Sequence, residues 1–315
     1  PVRRIACAPG CLSARMPPKA GSWRPHPGGS VEELVRSARG ADGCLLRYRI
    51  AGEGPPVVFL HGTLSSPSTF RQLHPFLESG GHFTGARGAD HRRLISPIMR
   101  GHDGEAPPSL PDDYSIISTE VSDLRAVLDA EGIGRFDLVG HSTGGTTAVG
   151  LALAEPDRVG RMVLIEPTLL SLLDGPMRER VHGDLATIIE AGAAGDHLSA
   201  LDGLLDFVSS GPEPPAVRQR VVERLGSRAC LVAPHVKALS EFELDAAEVR
   251  ALRPRILFVY GGASAYWEAS IAARLAQLRP DLPQLQVPGA GHHSHVEQPA
   301  MVGPAMAKHL YGEGS

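Results

Sequence analysis

Residues 136–139 read as a short buried strand that runs without a break into Gly140-His141-Ser142-Thr143-Gly144-Gly145, and residues 146–154 then read as helix. A strand that reverses into a helix this sharply forces the serine backbone into a strained conformation. Side chains two residues before and after it would strike neighbouring backbone unless they were minimal, and both of those positions are glycine. The same turn puts Ser142 at the start of a helix, where free N–H groups and the positive end of the dipole face any developing oxyanion. The plain alternative is a glycine-rich turn with an incidental serine. A phosphate-cradling loop would want another glycine spacing and usually a lysine.

The surrounding chain alternates strands with helices. Strand-like runs occupy 44–50, 57–60, 93–98, 136–139, 161–165, 255–260 and 284–287, with helical spacing over 68–77 and 117–131. This pattern implies an α/β fold, a mainly parallel central sheet flanked by helices. Residues 168–252 carry helical spacing and no clear strand, which suggests an inserted helical cap. The expected division is a flexible N-terminal tail over 1–40, a core over 41–167 and 253–315, and the cap between them. Residues 1–30 hold five basic residues, no acidic ones and many Pro and Gly, too little apolar surface to order themselves. An organelle transit peptide resembles this composition, but the prolines would break its helix. A true start at Met16 or later is the competing reading.

Composition narrows the function. With 42% apolar residues, 21% charged residues and a formal net charge of -4, there is no electrostatic excess to hold a polyanion, so nucleic acid is not an expected partner. No run approaches the roughly 18 apolar residues of a membrane helix, and no secretory signal is visible. Cys7, Cys11, Cys44 and Cys230 read as free thiols, which points to the cytoplasm. No cofactor is expected.

From residue 44 to 308 the chain resembles the α/β-hydrolases. The landmarks, in order, are Leu60-His61-Gly62, Arg100-Gly101-His102, the elbow at Ser142, Val163-Leu164-Ile165-Glu166-Pro167 and Pro288-Gly289-Ala290-Gly291-His292. The resemblance implies that Ser142 is a nucleophile and that the backbone N–H groups of Thr143 and Thr63 form its oxyanion hole, with the Thr63 hydroxyl as a further donor. A serine hydroxyl needs a base, and imidazole suits both taking and returning the proton. Of the 14 histidines, His292 stands where the family carries its base; His293 and His295 are the alternatives. Adjacent histidines also raise a zinc site, but no CxxC or HExxH partner is present.

The acid departs from the commonest family pattern. Where an aspartate usually follows the strand ending at Gly261-Gly262, this chain reads Ala263-Ser264-Ala265-Tyr266. Some relatives supply the carboxylate from the end of the preceding strand, and Glu166 stands there. Glu268 is the reserve, and a true dyad is a third reading. The implied enzyme is a serine hydrolase of a carboxylic ester, thioester or lactone. Its substrate would be a small molecule with an apolar acyl or alkyl group held under the cap. Carbon–carbon bond cleavage and biosynthetic acyl transfer, cyclisation or elimination use the same apparatus. A ligand-binding protein that has lost the chemistry is the non-enzymatic reading.

Overall fold

The computed structural model describes residues 4–6, 33–78, 91–104 and 109–312. Its strands in chain order are β1 (Arg4–Ala6), β2 (Leu34–Arg39), β3 (Leu45–Ala51), β4 (Pro56–Leu60), β5 (Arg93–Pro97), β6 (Ser109–Pro111), β7 (Phe136–His141), β8 (Val159–Ile165), β9 (Arg255–Gly261) and β10 (Gln284–Val287). The helices are α1 (Pro75–Glu78), α2 (Ser122–Ala130), α3 (Thr143–Ala154), α4 (Gly175–Ala193), α5 (His197–Val208), α6 (Pro215–Leu225), α7 (Val232–Ser240), α8 (Ala246–Ala251), α9 (Glu268–Leu278), α10 (Ser294–Glu297) and α11 (Pro299–Tyr311). A π-helical turn (Ile116–Val121) leads into α2.

Eight strands form one sheet in the order β10-β9-β8-β7-β4-β5-β3-β2. Every pairing from β10 across to β5 is parallel, while β3 runs antiparallel to both β5 and β2. The central strands are apolar on both faces because both are covered. Val57 and Phe59 of β4 join Val139, Val163 and Val259 against Val302 and Met306 of α11. Their neighbours Val58 and Leu60 join Leu138, Leu164 and Phe258 against Leu128 of α2 and Leu151 of α3. The mainly parallel α/β sheet expected from the sequence is therefore the architecture found.

The expected tail over 1–40 needs correction. Leu34–Arg39 is an edge strand paired along its whole length with β3, and Arg4–Ala6 pairs with β6. Periodicity misses β2 because Ala38 is its one buried residue, while Leu34 and Val35 are 44% and 67% exposed. Arg36 and Arg39 on this edge discourage pairing with another chain. The rest of 1–32, with Cys7, Cys11 and Met16, lies outside the described residues. The free-thiol reading fails at Cys230, which is disulfide-bonded.

Between β8 and β9 the described chain is helical, from the short turn at Leu170–Leu172 through α4 to α8. It is bound to the core by stacking of Phe207 in α5 on the buried Trp267 at 5.1 Å, with Trp267 Nε1–H donating to the Phe207 carbonyl at 3.2 Å. Leu169, Leu172 and Trp267 are core residues. No helix among the described residues is long and apolar enough to cross a membrane.

Candidate active site

The strand β7 delivers the chain to Ser142 at φ +54° and ψ −124°, and α3 begins at the next residue. A residue with a side chain pays of order 1–3 kcal/mol for such a conformation, so the surroundings must hold it. Two glycines let them. A Cβ on Gly140 would lie 2.6 Å from the Gly144 carbonyl oxygen, and one on Gly144 would lie 2.1 Å from that of Leu60.

Glu166 follows β8, again at positive φ (+48°), with its N–H bonded to the Val259 carbonyl at 2.9 Å. Its side chain is fully buried. Oε1 accepts from the Gly261 N–H and the Ser264 hydroxyl, and Oε2 lies 3.1 Å from His292 Nδ1. An ionised carboxylate only accepts hydrogen bonds, so Nδ1 carries the imidazole hydrogen and Nε2 is left as the basic nitrogen. Ser264 stands where the usual aspartate is missing, and its hydroxyl helps hold the Glu166 carboxyl in place. The loop carrying His292 is tied to the elbow, since His141 Nε2–H donates to the His292 carbonyl at 2.8 Å.

Ser142 Oγ lies 3.4 Å from Thr168 Oγ1 and makes no hydrogen bond to His292. Both side chains nonetheless line one cavity of about 830 Å³. Thr63 and Thr143 line it too, their hydroxyl oxygens 2.7 Å apart. Among the described residues nothing takes up the backbone N–H of either. The helical segment between β8 and β9 supplies an apolar wall that includes Leu185, Leu204, Phe207, Val221, Val236 and Leu239.

The other candidates separate cleanly. His295 is fully buried, bonded through Nε2 to Thr69 Oγ1 at 2.9 Å, with its ring tilted against that of His141 at a centroid distance of 4.4 Å. His293 borders the cavity without a carboxylate partner among the described residues. Glu268 is fully buried with neither carboxyl oxygen hydrogen-bonded. Burial, and then the nearby Glu166 charge, push its pKa well up, so it keeps its proton. No group of three or more potential ligands could hold a metal ion among the described residues. The sequence missed Thr168, Ser264 and His235, which bonds Thr63 Oγ1 through Nδ1 at 3.1 Å; only Ser264, in the vacant acid position, carried a signal.

His61 and His102 hold the loops around the elbow. His61 Nε2 accepts from the Met99 N–H at 3.1 Å and His102 Nε2 from the Leu64 N–H at 2.9 Å. Burial pushes His61, His102 and His235 each down to about 3, so they fold as neutral rings. Unfolded histidine titrates near 6.5, so the unfolded chain binds more protons between about pH 3 and 6.5. These residues therefore leave stability unchanged above about pH 6.5 and erode it as pH falls, by about 1.4 kcal/mol per pH unit for each ring. The urea midpoint should be clearly lower at pH 5 than at pH 7.5; equal midpoints would show that the rings are not buried neutral.

A model of the alpha/beta hydrolase fold family matches residues 55–299. The chain belongs to the α/β-hydrolase family. This α/β-hydrolase is 28% identical over 256 residues to the sn-1-specific diacylglycerol lipase of Mus musculus, covering 78% of this chain and 77% of that one. It is 30% identical over 129 residues to the 2-hydroxy-6-oxo-6-phenylhexa-2,4-dienoate hydrolase of Comamonas testosteroni, a match covering 39% of this chain and 40% of that one. Among solved structures, a thermophilic esterase from Thermogutta terrifontis superposes with a TM-score of 0.62 at 20% identity, covering 89% of this chain and 98% of that one.

Proposed function

We propose that this α/β-hydrolase is a serine hydrolase acting on a carboxylic ester, thioester or lactone with an apolar acyl or alkyl group. The observation that carries the reading is the strained Ser142 sharing a cavity with His292, whose Nδ1 faces the buried Glu166. The Ser142 hydroxyl leaves Thr168, gives its proton to His292 Nε2 and attacks the acyl carbonyl. Glu166 fixes the ring tautomer and stabilises the imidazolium. The Thr63 and Thr143 amides receive the oxyanion, and His292 returns the proton to the leaving oxygen or sulfur. Water activated by the same ring then releases the acyl group. Residues 168–252 act as the cap that selects it, and their apolar wall supports an acyl or alkyl group.

A fluorophosphonate probe tests this. It should label the protein on the peptide containing Ser142, and the label should disappear in Ser142→Ala. Labelling that persists in that variant, or an intact protein that takes none, would leave the fold with a different function.

A further inference from the structure

A buried polar relay that includes a residue of the helical segment between β8 and β9 reaches the site. The Tyr114 hydroxyl donates to Glu120 Oε1 at 2.7 Å, and its oxygen lies 3.4 Å from His235 Nδ1. The same Nδ1 lies 3.1 Å from Thr63 Oγ1, which is 2.7 Å from Thr143 Oγ1. His235 is fully buried on α7, and its Nε2 has no hydrogen-bond partner among the described residues.

Counting hydrogens along this chain decides the tautomer. Burial raises Glu120 to about 7, so above that pH its carboxylate is ionised and only accepts; the Tyr114 hydrogen is then committed to it, and towards His235 the tyrosine oxygen can only accept. An unprotonated Nδ1 would set two lone pairs against each other across 3.4 Å; a protonated one is shared between Tyr114 and Thr63. Thr63 Oγ1 therefore accepts from His235. The two threonine hydroxyls then hold two hydrogens between them, and their mutual bond uses one. The other has no protein acceptor in the relay and sits on the wall of the cavity beside Ser142. With the opposite tautomer Nδ1 would accept the Thr63 hydrogen, Thr143 would donate to Thr63, and neither hydrogen would remain.

We propose that His235, held as its Nδ1–H tautomer by Glu120 and Tyr114, is a positioning residue that frees one hydroxyl hydrogen of the Thr63–Thr143 pair to act as a third oxyanion donor. This rests on the serine hydrolase reading for its chemistry. It also means that a residue of the insertion sets the donor count at the reaction centre, so the segment does more than enclose the acyl group.

The test is a double-mutant cycle read with p-nitrophenyl butyrate. Thr63→Val together with Thr143→Val, which removes both hydroxyls and keeps both backbone amides, should lower kcat by roughly 10²-fold, the loss seen when one oxyanion donor is removed, with KM changed less than threefold. Tyr114→Phe, which deletes only the hydroxyl, should lower kcat by about tenfold. Adding Tyr114→Phe to that valine pair should make it no slower, because both changes act through one hydrogen. Imidazole 15N shifts should show His235 protonated on Nδ1 in the wild type and not in Tyr114→Phe. Additive losses, a wild-type kcat in the valine pair or in Tyr114→Phe, or a His235 protonated on Nε2 would overturn the proposal. The 15N result stands even if fluorophosphonate labelling fails, so failure of the relay and failure of the serine reading are told apart.

Discussion

Ser142→Ala and His292→Ala are each expected to lower kcat on p-nitrophenyl butyrate by on the order of 10⁴- to 10⁶-fold, and the double variant to be no slower than the slower single. The reason is that one proton links them. Without Nε2 the hydroxyl stays protonated and is a weak nucleophile; without the hydroxyl the imidazole has nothing to activate. The test is sharp because Ser142 Oγ rests against Thr168 rather than His292. A double variant whose loss approaches the product of the two singles would show that the groups act independently and would remove the coupling at the centre of the mechanism. Ser142→Gly supplies a control on the backbone. It relieves the conformation at φ +54°, so it should be inactive yet unfold at least as hot as Ser142→Ala.

Much of this was legible in the sequence, for local reasons. The strands β4, β7, β8 and β9 are short apolar runs because a parallel sheet buries both their faces, and a run of that length is visible without knowing its neighbours. The elbow is visible because its steric demand falls on residues two positions away, and glycine alone meets it. By contrast β2 is held by backbone hydrogen bonds to β3 and by almost no burial, so nothing in its side chains declares it. The contacts that furnish the site are hidden for a different reason. Ser264 reaches Glu166 across 98 residues and His235 reaches Thr63 across 172. A serine or a histidine with one long-range partner looks like any other until the fold brings the pair together. Glu166 itself was found from the end of a strand, and the structure sets it beside His292.

Glu166→Gln is expected to lower kcat by about 10⁴-fold, the loss seen when a triad carboxylate becomes an amide, while Glu268→Gln stays within about threefold of wild type. The asymmetry follows from the donors around each group. At Glu166 the Gly261 N–H and the Ser264 hydroxyl both point at Oε1, so a glutamine there must present its oxygen to them. Its NH2 then faces His292 Nδ1 across what is now a 3.1 Å contact to Oε2. That nitrogen must become the acceptor, the imidazole hydrogen moves to Nε2, and the ring can no longer take the Ser142 proton. At Glu268 no donor meets either oxygen, and burial beside the Glu166 charge already keeps the group protonated. Glutamine replaces a neutral acid there with a neutral amide of the same shape. Kinetics on a p-nitrophenyl ester, with thermal unfolding to confirm that both variants fold, separate the two. Full turnover in Glu166→Gln, with the loss moved to Glu268→Gln, would make the second carboxyl the acid and leave the hydrogen bonds around Glu166 a structural clamp between β8 and β9.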